Sequence, residues 1–180
     1  MLFKKIIACL CAFAFLVLPT MCAEAASKPI VAVIPFTDQS ARKSASNQEA
    51  IDNAWDYVEN AIRQTNRFRT MTRTQIDKLV DELKLDNESG LIDPSTAAKY
   101  GKMIGAQYLI LGTVTGLGNK SSDTVAHLSL RMIEVETAEI YLSGRGKGKA
   151  KDSFDALEKA AKDALNGEMG MLTMLRGGKK

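Results

Sequence analysis

The chain has 180 residues, 46% of them apolar and 25% charged, and a formal net charge of +3. That length suits one domain with a full core, and so small a positive charge lacks the basic excess of a nucleic-acid binder. All three cysteines, Cys9, Cys11 and Cys22, lie near the N-terminus, which excludes a disulfide framework, a thiolate metal site or a thiol nucleophile from the rest of the chain.

Lys4 and Lys5 precede an almost unbroken apolar run from Ile6 to Leu18, which Pro19 ends. Ala23 and Ala25 place small residues at the two positions a signal peptidase reads, so the expectation is a leader over residues 1–25, cut after Ala25. A retained membrane anchor is the competing reading, but the run is short of the about 20 residues a spanning helix needs. Lipid attachment is the other. Cys22 follows Pro19-Thr20-Met21, and Cys9 has too little apolar sequence before it, so both match a lipid-attachment pattern poorly. Residues 26–180 are expected to form a single exported domain without cysteine or a membrane span.

Pro29 to Phe36 is short, β-branched and apolar on both faces, as a central strand should be. Thr37 to Ser46 reads as a loop. From Asn47 the period turns helical, with Ile51, Ala54, Trp55, Val58 and Ile62 on one face; Trp55 is expected as a core anchor. Arg67 to Met71 is a short strand with Phe68 inward. Thr72 to Gln75 fits a capping box, leading into a helix striped by Ile76, Leu79, Val80 and Leu83. Asp93-Pro94 starts a third helix, which runs through Ala97 and Ala98 to Ile104 and stops at Gly105.

Ala106 to Thr115 is a further strand, and Gly116 to Asp123 reads as a loop of turn residues. Thr124 to Val135 alternates, with Val125, His127, Ser129, Arg131 and Ile133 opposite Ala126, Leu128, Leu130 and Met132. Glu134 to Glu136 turns the chain, and Ala138 to Gly144 returns as the third strand of an antiparallel meander. A last helix from Asp152 to Leu165 buries Phe154, Leu157, Ala161, Ala164 and Leu165. The tail from Met169 to Leu175 is apolar enough to pack, ahead of a frayed Gly177 to Lys180. The fold class is α/β (α+β): a mixed β-sheet with helices packed on both faces, needed because strands this apolar require cover on each side.

No constellation for chemistry emerges. His127, the lone histidine, lies mid-strand without a carboxylate or cysteine at ligand spacing, and no Gly-x-Ser-x-Gly elbow or phosphate loop is present. Asp81/Glu82 point apart on a helix, and Glu134/Glu136 sit in a turn. Catalytic, cofactor-binding and metal residues are therefore expected to be none, and the chain is expected not to be an enzyme. A cluster of Arg145, Lys147, Lys149 and Lys151, and another of Arg176, Lys179 and Lys180, suit a solvated face or an anionic partner.

Val31-Ala32-Val33-Ile34-Pro35-Phe36, Asn66-Arg67-Phe68, Gly90-Leu91-Ile92-Asp93, Ala97-Ala98-Lys99-Tyr100-Gly101, Gly105-Ala106-Gln107-Tyr108-Leu109 and Gly112-Thr113-Val114 occur in succession. This ordered set resembles the CsgG family of curli-type secretion channels and their soluble relatives, over about Ile30 to Leu165. The resemblance implies a periplasmic domain, peripheral to the outer membrane, that assembles with an envelope protein partner or with itself as a homo-oligomer, as an accessory in assembly of surface material. The turns leave no room for membrane-length hairpins, and Thr137-Ala138-Glu139 departs from the family's Thr-Gly-Glu, so a soluble member is implied. A second reading is an activator of a cell-wall synthase, close to the lipoprotein activators of penicillin-binding proteins; a third is a small-molecule-binding or hydrolytic enzyme. Arg73 and Glu82 belong to the resemblance either as pairing or capping residues or as plain surface charges, and neither is assigned a site.

Overall fold

The structure is a computed structural model that describes residues 27–40, 45–72, 74–77, 93–120, 122–168 and 170–177. Strand β1 spans Ile30–Val33, β2 Thr37–Asp38, helix α1 Ala45–Gln64, β3 Arg69–Thr70, α2 Pro94–Ile104, β4 Tyr108–Lys120, β5 Asp123–Glu134, β6 Ile140–Ala150, α3 Ser153–Asn166 and α4 Met171–Gly177. The strands form one mixed sheet in the order β3-β1-β4-β5-β6, with β2 also paired to β4. β1 is parallel to β3 and β4, and β4, β5 and β6 are antiparallel neighbours. The expected mixed sheet with a C-terminal meander is what forms.

Helix placement follows from the strand order. β1 to β3 steps toward one margin of the sheet, and β3 to β4 steps back past β1. Right-handed crossovers in opposite directions lay their helices on opposite faces. So α1 covers one face, joined there by α3 and α4, while α2 covers the other at the β4 end.

The stripe read from the sequence is the buried face of α1: Ile51, Ala54, Trp55, Val58 and Ile62, with Ala50 beside them. Trp55 is 1% exposed, and its indole N–H donates to the Val33 carbonyl at 3.0 Å, so the ring anchors helix to sheet. Gln75 completes half a capping box, its side-chain oxygen accepting the Thr72 N–H at 3.2 Å and the Thr72 hydroxyl at 3.0 Å. Ile76 is fully buried. Leu79, Val80, Leu83, Arg73, Asp81 and Glu82 lie outside the described residues.

Helix α2 starts and stops where its residues demand. The Asp93 carboxylate accepts the N–H groups of Ser95 and Thr96, each at 3.0 Å, and Gly105 ends the helix at φ 72°. Hydrogen bonds from the Ser95 and Thr96 side chains, then from the backbone, hold the Asp93 carboxyl well below its ordinary 3.8. A depressed folded-state pKa contributes stability above the unfolded value and loses it as pH falls. Asp93→Ala is therefore expected to melt below the wild type at neutral pH, and the gap in Tm should close as pH falls below about 4.

Three expectations are corrected in the meander. Gly116 to Asp123 is no loop: β4 runs on to Lys120, pairing Gly116 with His127 and Gly118 with Val125, and a register shift between Val114 and Gly116 marks an irregularity. Local turn propensity yields there to cross-strand pairing, since strand glycines often mark bulges. β4, β5 and β6 accordingly reach 13, 12 and 11 residues, so the lack of room for long strands does not hold; they belong to the packed sheet instead. β6 also does not end at Gly144. It continues through Gly146 and Gly148 to Ala150, with every second residue buried.

Those glycines have a partner. A Cβ on Gly144, Gly146 or Gly148 would overlap the backbone oxygens of Ala164, Ala160 and Ala156 in turn. Helix α3 thus lies directly on β6, small residue against small residue, burying Ala156, Leu157, Ala160, Ala161, Ala164 and Leu165. Ala156 and Ala160 join the face expected from the sequence, and Phe154 is only half-buried. At the margin of the sheet, the Asp163 carboxylate accepts the Lys147 N–H at 3.0 Å, and Lys159 Nζ donates to the Lys149 carbonyl at 3.4 Å. Met171 and Leu172 of α4 are buried against the same face.

The β5–β6 turn closes with Ala138 at φ 60°. A side chain in the left-handed region costs about 1 kcal/mol or more. Ala138→Gly is expected to stabilise the domain by about that amount, read as a higher urea midpoint at unchanged slope.

Candidate functional site

Because the inner face of β6 is glycine, its alternate residues face outward and are free to be polar. On this side of the meander, β5 and β6 pair Arg131 with Ser143, Ser129 with Arg145, His127 with Lys147 and Val125 with Lys149. Arg145, Lys147, Lys149 and His127 are exposed, and Arg131 is half-exposed. Residues two apart on a strand stand about 6.6 Å from each other, so Arg145, Lys147 and Lys149 form a straight cationic row. Lys149 Nζ meets the Asp123 carboxylate at 3.1 Å. Arg145 and Lys147 have no ion pair among the described residues. A flat face with one sign of charge attracts an anionic surface and orients it during encounter.

The opposite end of the meander is different. A cavity of about 320 Å³ opens there, lined by Lys102, Gln107, Tyr108, Glu134, Val135 and Glu136 with Pro29 and Ala106. Tyr108 packs edge-on to Phe68 at 5.9 Å between ring centres and tilts against Tyr141 at 5.3 Å. Its hydroxyl makes a long 3.5 Å hydrogen bond to Glu134 Oε1, while Thr137 donates to Glu134 Oε2 at 2.9 Å. Burial, and then the negative charge of Glu134, push the Tyr108 hydroxyl above its ordinary pKa. Ile140 and Tyr141, about half exposed, and Met103, more so, lie at this end.

Several residues singled out by sequence are placed plainly. His127 stands on the cationic face beside Gly116, and no group of three or more His, Cys, Asp or Glu that would hold a metal occurs among the described residues. Glu134 and Glu136 both line the cavity at the sheet end. Ala23, Ala25, Lys179 and Lys180 lie outside the described residues, and no described helix is long and apolar enough to cross a membrane. The Tyr108–Tyr141 pair and the cavity were not foreseen. The available signal was Tyr141 and Ile140 side by side at a strand start, where alternation leaves one of them facing water.

The structure thus combines a single mixed sheet with one cationic face and one acidic, aromatic end. Its relatives narrow the class. The chain belongs to the LpoB family, described as peptidoglycan-synthase activators, whose profile matches residues 14–147. The penicillin-binding protein activator LpoB of Dickeya dadantii is 28% identical over 138 residues, covering 71% of this chain and 68% of that protein. In fold, the chain is similar to the C-terminal domain of LpoB from Escherichia coli (TM-score 0.50, 20% identity, 67% of this chain and 82% of that one). It is also similar to lipoprotein GNA1162 from Neisseria meningitidis (TM-score 0.51, 13% identity, 84% and 96%).

This corrects the CsgG resemblance and with it the curli-accessory reading. The physical reason lies in the fragments that carried them. Gly101 sits against Val135, Gly112 against the Phe36 ring, and Gly105 takes a left-handed turn. Such residues report how helix and strand approach each other, which relatives of one fold share, and do not report which branch the chain is in. Synthase activation, the second of the sequence readings, is the one the family match favours.

Proposed function

We propose that the protein is an exported regulator of a peptidoglycan synthase, which docks on the synthase through its cationic sheet face and performs no chemistry of its own. The observation that carries this reading is the family match, which runs through Arg131, Arg145 and Lys147. That Arg145 and Lys147 have no ion pair among the described residues supports the choice of face. In this reading residues 1–25 are the leader, Ala23 and Ala25 guide its removal, and residues 26–180 act as one domain in the periplasm, beside the outer membrane. The partner is a penicillin-binding protein with an acidic docking surface.

The test adds purified residues 26–180 to a penicillin-binding protein from the same organism and follows glycan-chain polymerisation. A rate that climbs and saturates with added domain is expected. A rate unchanged at saturating domain overturns the reading. Intact mass from the native envelope addresses the leader: a mass starting at Ala26 is expected, and a lipid adduct on Cys22 would replace the cleaved form with an anchored one.

A further inference from the structure

Two surfaces of opposite charge lie toward opposite ends of the same strand. Glu134, Glu136 and Glu139 flank the cavity end, where Lys102 offsets one of the three charges and Tyr141 and Ile140 stand exposed. Arg145 and Lys147 lie further along β6, exposed and without an ion pair among the described residues. Arg145, where the row begins, stands five residues along β6 from Ile140, about 17 Å at about 3.3 Å per residue. That exceeds the roughly 10 Å screening length at 0.1 M salt. The acidic end therefore cannot neutralise the cationic row of its own molecule.

A second molecule can. We infer that copies of this chain associate head to tail, the acidic, aromatic end of one seated on the cationic row of the next. Charge complementarity selects this occupant, because both halves of the contact are present on one chain, and Glu136, Glu139, Arg145 and Lys147 have no ion pair among the described residues. Tyr141 adds an aromatic face for Arg145 or Lys147 of the neighbour, an attraction that survives partial exposure. The contact joins two different surfaces, so it does not close on itself as a twofold dimer does. It extends into a chain of molecules, or into a ring where the rotation allows. The inference is independent of synthase docking, although both use Arg145 and Lys147. A self-associated molecule would have its cationic row covered and be unable to dock.

Sedimentation of the mature protein at low ionic strength, over rising concentration, tests it. The weight-average mass is expected to pass about twice the monomer without levelling at a dimer, and to fall back in 1 M salt, where the screening length is about 3 Å. Two variants carry the decision: Glu136→Lys with Glu139→Lys, and Arg145→Glu with Lys147→Glu. Each alone is expected to stay monomeric, since like charges then meet. Mixed in equal amounts they are expected to associate again, because each restores the charge the other has lost. A wild type that stays monomeric, a level dimer, or a mixture that fails to associate overturns the inference. The acidic-end variant keeps its cationic row, so its activity toward the synthase reads docking separately from self-association.

Discussion

Gly146→Val is expected to lower the melting temperature of residues 26–180 by about 10 °C, a loss of roughly 3 kcal/mol at the 2–4 °C per kcal/mol typical of this size. Glycine is required at this position because of what lies above it. Two strand residues advance about 6.6 Å and four helix residues about 6 Å, so Gly144, Gly146 and Gly148 come into step with Ala164, Ala160 and Ala156. Each glycine meets a helix backbone oxygen, which has no rotamer by which to move aside. The new side chain must push α3 off the sheet along its length and unpack Leu157 and Leu165, both fully buried. Gly118→Ala is the control: nothing stands within 4 Å of a Cβ there, and its melting temperature is expected to match the wild type. Thermal unfolding by circular dichroism checks both.

Arg145→Glu combined with Lys147→Glu is expected to abolish activation of the synthase while leaving the fold intact. Both side chains are exposed and neither is paired among the described residues, so their loss removes no internal contact. Reversal sets like charge against an acidic partner, which weakens association by several kcal/mol at the most favourable sites and by at least about tenfold, or 1.4 kcal/mol, at exposed ones. Binding should weaken chiefly through slower encounter, and the difference from wild type should shrink as salt rises. Surface plasmon resonance at two ionic strengths, with a melting curve for each variant, measures both effects. A synthase that responds equally to wild type and variant would move the docking site elsewhere on the domain.

The helices were open to reading because their signals are local. Ile51 to Ile62 repeat at the helical period, Asp93-Pro94 caps a first turn, and Gly105 ends the last one; each of these depends on residues a few positions apart. The glycines of β4 and β6 were misread for the opposite reason. Gly116 and Gly118 carry turn chemistry in isolation, and only pairing with Val125 and His127 makes them strand. Gly144, Gly146 and Gly148 look like a loop until the alanines of α3 are set over them. The repeat of two in one segment and four in the other was visible in the sequence, but its meaning depends on their meeting in space. The cationic row was visible as a charge cluster. That Arg145 and Lys147 project from one face of a strand, rather than from a mobile loop, needed the strand to be known.

Close contact between α3 and β6 has a consequence for how the protein resists aggregation. β6 is the last strand of its sheet, and such a margin presents unpaired N–H and C=O groups on which another chain can nucleate, the first step toward aggregates. Here the glycines draw α3 in until Asp163 takes the Lys147 N–H and Lys159 takes the Lys149 carbonyl. The helix acts as a shield against templated polymerisation, and the lysines beside it repel a second strand. A partner approaching this stretch of β6 meets side chains on the sheet face, because the Lys147 N–H and the Lys149 carbonyl are already taken.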